Sequence, residues 1–112
     1  MNFQKLKELF EQNADKKEAE GMSAYMQNKF AFFGIPKPKR EMLTKKLFAD
    51  DKNNPFDWKF VFDCFAANER EYQYTALNYL KKRKEQLSVA DISNIKKLVE
   101  TKSWWDSVDC LD

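Results

Sequence analysis

The chain has 112 residues, 43% hydrophobic, 15% aromatic and 34% charged, with a formal net charge of +2, so it reads as one folded domain and not as a disordered chain. Two Gly and three Pro are too few for the turns of a many-stranded sheet, which favours helices joined by short loops. The absence of histidine removes His-based triads and His general bases, and Cys64 and Cys110, far apart and without CxxC spacing, suggest neither a disulfide framework nor a zinc site.

In chain order, Phe3, Leu6 and Phe10 recur at i, i+3 and i+7 and predict a first helix. Asp15 offers an N-cap to a second, with Glu18 as capping-box partner and Ala19, Met22, Met26 and Phe30 along one face. Phe32-Phe33-Gly34-Ile35-Pro36 breaks it. Pro38 suits the first position of a third helix, with Met42, Leu43 and Leu47 as its buried stripe. After the polar stretch 50–54, Asn54 and Pro55 read as cap and first turn of a fourth helix, whose stripe is Trp58, Val61, Phe62 and Phe65. Asn68 with Glu71 marks a long fifth helix carrying Tyr72, Ala76, Tyr79, Leu80 and Leu87. Ser88 with Asp91 is a capping box for a sixth, with Ile92, Ile95 and Val99 as its stripe, and Ser103 with Asp106 opens a seventh.

About seven helices with short loops predict an all-α chain of antiparallel helix pairs stacked as a HEAT-like α-solenoid, a single domain over residues 1–112. The expectation rests on helix rhythm, since no repeated sequence is visible. No apolar run reaches membrane-spanning length and the N-terminus has no apolar signal region, so no membrane partner and a cytoplasmic location are expected.

The last ten residues separate two aspartates. With Ser103 as N-cap, Asp106 falls at N3, where a carboxylate serves exposed backbone N–H groups. Asp109 lies nearly a turn deeper, four residues from Trp105 and on its face. A carboxylate beside an indole attracts cations by charge and by the ring quadrupole. The structural alternative is that Trp104 and Trp105 are core aromatics and Asp109 is solvated.

The run Ser103-Trp104-Trp105-Asp106-Ser107-Val108-Asp109 is similar to the S-W-W-D-[TS]-V-D signature of the alkylpurine-excising, HEAT-like DNA glycosylases of the AlkD type. Ala24-Tyr25-Met26-Gln27-Asn28-Lys29-Phe30 with Phe33-Gly34-Ile35 resembles that family's A-Y-M-x-x-x-F…G-I segment, followed, as in the family, by a Pro and an Arg (Pro38, Arg40). The helix from Glu69-Arg70-Glu71-Tyr72-Gln73-Tyr74 to Tyr79-Leu80 is likewise similar to a family element. The three motifs stand in the family's order.

This resemblance implies a DNA repair enzyme that hydrolyses the N-glycosidic bond of cationic alkylated purines, of the 3-methyladenine and 7-methylguanine type, in double-stranded DNA. It implies no cofactor, and a monomer when complete. Such cleavage passes through an oxocarbenium-like sugar, and a purine already carrying positive charge leaves without a strong general acid. What remains is to stabilise positive charge and deliver water. The resemblance gives those roles to Asp109 and Trp105 as catalytic residues, with Tyr25 and Trp105 binding the substrate. A unit charge pair at 4 Å is worth about 4 kcal/mol at an effective dielectric near 20, against about 0.5 to 2 kcal/mol for a cation–π contact. Asp109 is therefore expected to matter more for rate than Trp105.

Phosphate contacts need cations. Lys37, Lys39, Arg40 and Lys102 are the candidates for the DNA backbone. Lys45 and Lys46, Lys81 to Lys84, and Lys96 and Lys97 are further basic clusters that also suit helix ends and solvated faces. The chain stops three residues after Asp109, and members of the resembled family are about twice as long. The expectation is a front portion of a longer enzyme, weak or inactive alone. The competing expectation is a non-catalytic HEAT-like scaffold that binds DNA or protein.

Overall fold

The computed structural model describes residues 1–26 and 31–101, the last four of them as backbone only. The predicted site residues Trp105, Asp109 and Lys102, the seventh helix, and the side chains of Phe30 and Val99 lie outside this set. Among the described residues six α-helices follow in order: α1 (Phe3–Gln12), α2 (Lys16–Tyr25), α3 (Lys37–Asp50), α4 (Trp58–Ala66), α5 (Arg70–Lys82) and α6 (Ile92–Thr101). Short 3-10 turns at Lys84–Gln86 and Val89–Asp91 join the last two. Among the described residues there is no strand, only an isolated bridge between Ala31 and Glu69. No described helix is long and apolar enough to cross a membrane. The fold is all-α and HEAT-like: α1, α4 and α6 pack in sequence as one layer, α3 and α5 as the other, and α4 closes onto α5 as a hairpin.

The core sits between the layers. Leu6 and Phe10 of α1, Phe60, Val61, Cys64 and Phe65 of α4, and Ala76, Leu77 and Leu80 of α5 are buried together with Ile35 from the loop before α3. Two tyrosines two turns apart on α5 organise the aromatics. Tyr72 meets Phe3, Phe10 and Phe33 at centroid distances of 5.0, 5.6 and 5.5 Å. Tyr79 meets Phe56 and Phe60 at 4.8 and 5.5 Å. Such offset and edge contacts add about 0.5 to 1.5 kcal/mol each beyond area burial.

Two of the predicted caps form, Asp15 and Ser88. Asp15 accepts from the N–H groups of Lys17 and Glu18. Ser88 and Asp91 make the reciprocal capping box, and Asp91 also accepts the indole N–H of Trp58 at 2.9 Å, tying the start of α6 to α4. The Ser88 N–H, then the Trp58 indole, hold the Asp91 carboxyl below its ordinary pKa.

Several expectations are corrected. The Asp15 N–H does not join a capping box with Glu18 but donates to the Phe33 carbonyl at 2.8 Å. No residue of α2 is fully buried, so its apolar face is a half-covered flank and not a core stripe. Helix α3 starts at Lys37 with Pro36 as cap, and its buried residues are Arg40 and Thr44. Met42 is 66% exposed, while Leu43 and Leu47 are half-buried. Helix α4 is capped by Asp57, whose side chain accepts from Phe60 N–H, and not by Asn54. Glu69, not Asn68, caps α5, and Leu87 lies beyond its end. Ile92 is 58% exposed.

A polar knot closes the far end of the core. The Asp51 carboxylate takes the Met1 ammonium at 2.9 Å, Arg83 at 2.9 Å and the Tyr79 hydroxyl at 3.2 Å. Arg83 also donates to the carbonyls of Asp51 and Asn54. Burial works against Asp51 ionising, but hydrogen bonds from the Met1 ammonium, Asn54 and Tyr79 together hold its carboxyl below the ordinary value.

Candidate functional site

The loop between α2 and α3 determines where the candidate residues stand. It crosses over the start of α5. The Ala31 carbonyl accepts the Arg70 N–H at 2.8 Å. Glu71, fully buried in the first turn of α5, then receives three backbone donors: Phe33 N–H at 3.0 Å on Oε1, and Gly34 and Ile35 N–H at 3.0 and 3.1 Å on Oε2. A buried carboxylate is tolerated when its lone pairs are filled in this way. Gly34 has φ +91°, and a Cβ there would stand 2.0 Å from the Asp15 carbonyl oxygen. The loop can lie this close to the α1–α2 corner only with glycine at that position.

This docking sets α2 beside α5 and leaves an open cleft of about 480 Å³ between them. Tyr25, the last residue of α2, stands on its wall and is 86% exposed. Met22, Met26, Phe32 and Tyr74 complete an apolar and aromatic lining, and Lys17 and Glu18 stand at its polar edge. Two guanidinium groups stand over the Tyr74 ring, Arg40 at 4.9 Å and Arg70 at 5.3 Å from its centroid. Cation–π contacts of this kind contribute about 0.5 to 2 kcal/mol each and fix the ring plane. A cleft lined by an exposed tyrosine, a second tyrosine, two methionines and a phenylalanine is a surface on which a flat heteroaromatic group can stack.

The predicted site residues are distributed unevenly. Tyr25 is in the cleft. Arg40 is buried behind Tyr74, so it supports the cleft wall and does not stand on the surface among the lysines. Lys37 and Lys39 are exposed on the first turn of α3, Lys37 within 4.0 Å of Glu41. Trp105, Asp109 and Lys102 lie outside the described residues. Among those described, no group of three or more His, Cys, Asp or Glu side chains could hold a metal ion. Cys64 is a buried thiol whose pKa burial pushes up, which suits a core residue and not a nucleophile.

Sequence reasoning missed Phe32 and Tyr74 as cleft residues, Arg70 as the buried support of Tyr74, and Glu71 as the anchor of the loop. The i, i+4 spacing of Arg70 and Tyr74 on a predicted helix was a usable signal for their contact. No local pattern announces that Glu71 faces a loop more than thirty residues upstream.

Residues 6–112 match the family described as DNA alkylation repair enzyme. The chain is similar to a solved structure described as a predicted DNA alkylation repair enzyme from Enterococcus faecalis, with 34% identity and a TM-score of 0.81 over 87% of this chain. That alignment takes in 46% of the other chain, so this chain spans a little under half its length. No curated protein matches. With the family match running over nearly its whole length, the chain belongs to the DNA alkylation repair enzyme family.

Proposed function

We propose that the protein is a DNA glycosylase that releases cationic alkylated purines from double-stranded DNA, acting as part of an enzyme longer than this chain. The observation that carries the reading is Tyr25, which the family resemblance assigns to the substrate and which lies exposed on the wall of an aromatic cleft. A tyrosine kept for packing would be covered, and this one is not.

In this mechanism Tyr25 and Tyr74 offer ring faces to the alkylated nucleotide, whose positive charge strengthens the stacking. Trp105 meets the same cation. Asp109 stabilises the oxocarbenium-like sugar as the glycosidic bond lengthens, and orients the water that attacks it. The leaving purine carries away the bonding pair as a neutral base, so no protonated acid is required. Family membership and the similarity to the Enterococcus faecalis protein support a role in repair of alkylated DNA. The choice of cationic purines, the cytoplasmic location and the monomeric state belong to the proposal.

The test is release of 7-methylguanine from methylated duplex DNA by the intact protein. The wild type releases base, and Asp109→Asn loses most of that activity while it still binds DNA. Unchanged release in Asp109→Asn would remove the assigned role. Salt-dependent DNA binding with no base release at all would establish the non-catalytic scaffold instead.

A further inference from the structure

Helix α2 carries a glycine in its middle that its backbone does not require. Gly21 lies well inside the helix Lys16–Tyr25. Glycine at such a position weakens a helix relative to alanine, because it loses more conformational freedom on folding. Two structural reasons hold Gly34 in place, a positive φ and the close approach of the Asp15 carbonyl. Neither applies to Gly21. Its φ is not positive, and a Cβ built there meets nothing within 4 Å outside its own stretch of helix.

What sets the position apart is where it faces. Gly21 lines the Tyr25 cleft together with Glu18, Met22 and Tyr25 of the same helix. These four stand at i, i+3, i+4 and i+7, which is one side of α2. Long and aromatic side chains on a helix lean back over the turn N-terminal to their own Cα. Tyr25 therefore leans over positions 21 and 22. Met22 supplies a side chain there and Gly21 supplies none. Among the described residues, the face of the Tyr25 ring that looks back along α2 thus meets open cleft above bare backbone at position 21. The 86% exposure of Tyr25 agrees, since a side chain packed beneath the ring at i−4 would cover that face.

We infer that Gly21 is a positioning residue of this cleft: by carrying no side chain, it keeps the inner face of the Tyr25 ring free for the flat cationic group that stacks there. The inference rests on the proposed function and deepens it by naming what makes room at Tyr25. Gly21 acts through Tyr25 and touches no reacting atom. A leucine at position 21 would take the ring face first, because leucine and tyrosine four residues apart attract each other on a helix surface. The same exchange removes a helix-weakening glycine. Stability and activity then move in opposite directions, which a glycine kept only for packing would not produce.

The experiment compares Gly21→Leu with the parent in two backgrounds of the intact protein, wild type and Tyr25→Ala. Thermal melts and release of 7-methylguanine from methylated duplex DNA are measured for all four proteins. Gly21→Leu is expected to melt at or above the wild-type temperature and to release base roughly 5- to 150-fold more slowly, as for the loss of one stacking contact. In the Tyr25→Ala background the same exchange is expected to cost less than about 3-fold, because no ring face remains to be covered. Wild-type release by Gly21→Leu, or an equal loss in both backgrounds, overturns the assignment. A readout separate from the chemistry is the shift of the Tyr25 ring resonances on titration with the nucleoside 7-methylguanosine. Wild type is expected to show a saturable shift that Gly21→Leu loses. That pattern in a protein that releases no base supports the role of Gly21 and overturns only the proposed chemistry. No shift in wild type, or the same shift in both proteins, overturns the role of Gly21 even where methylated bases are released.

Discussion

Glu71 holds Gly34. The Oε2 of a fully buried carboxylate on α5 accepts the N–H of a residue 37 positions earlier at 3.0 Å, and Phe33 and Ile35 donate to the same group. Replacing Glu71 with Gln keeps one acceptor oxygen and turns an amide NH₂ toward at least one of these donors. A buried donor left unsatisfied costs about 1 to 3 kcal/mol. Glu71→Gln is expected to lower the urea midpoint correspondingly, and a midpoint equal to wild type would show that the loop is held by other contacts.

The two glycines are expected to respond with opposite signs. Gly34→Ala places a methyl 2.0 Å from the Asp15 carbonyl oxygen at φ +91°, and destabilisation of more than about 2 kcal/mol follows from strain and the forced shift together. Gly21→Ala adds a Cβ with nothing within 4 Å inside α2. That exchange is expected to stabilise by about 0.5 to 1 kcal/mol. Thermal melts of both variants check the pair.

Asp51 links protonation to stability. Its folded carboxyl titrates below the ordinary value of 3.8, so the folded state holds this proton less tightly than the unfolded chain. Its stabilising contribution is therefore fully present above pH 3.8 and is lost as pH falls through the lower folded value. Asp51→Asn leaves Arg83 buried without its counter-charge, at a cost of about 3 to 5 kcal/mol at neutral pH. Denaturation midpoints measured from pH 7 down to pH 2 should show the wild type losing part of this advantage below about pH 4. A constant gap between the two proteins across that range would contradict the linkage.

Tyr25 separates activity from stability. At 86% exposure its truncation is expected to change stability by less than about 0.5 kcal/mol. Loss of one stacking face worth about 1 to 3 kcal/mol predicts base release by the intact protein roughly 5- to 150-fold slower in Tyr25→Ala. Tyr25→Phe retains the ring and is expected to recover most of the rate. Equal activity in the alanine variant would take Tyr25 out of the site.

The legible part of the fold was what local chemistry encodes. Asp15 and the Ser88–Asp91 box cap helices where their spacing said they would, and the stripe from Tyr72 to Leu80 is buried. The misjudged parts depend on partners distant in sequence. Met42 has the hydrophobicity of a core residue but the exposed side of α3, whereas Arg40 is buried because Tyr74, on a different helix, offers it a ring. Asn54 and Pro55 form a plausible cap, yet Arg83 takes the Asn54 carbonyl and α4 begins later, at Trp58. For the site, family motifs located Tyr25, but the wall it faces is assembled from α2, the crossing loop and α5. No local period describes that meeting.

The bond from Trp58 to Asp91 makes one indole a resident reporter. Asp91 completes the box that starts α6 and at the same time receives the Nε1 proton of a residue on α4. The chain has three tryptophans, so the indole region of a ¹H–¹⁵N spectrum is sparse enough for each signal to be followed. The Trp58 signal registers whether the sixth helix is seated on the fourth. Because α6 precedes the Trp104–Asp109 segment in the chain, DNA-dependent movement of that resonance would reveal strain passing into the scaffold from the segment proposed to carry the chemistry.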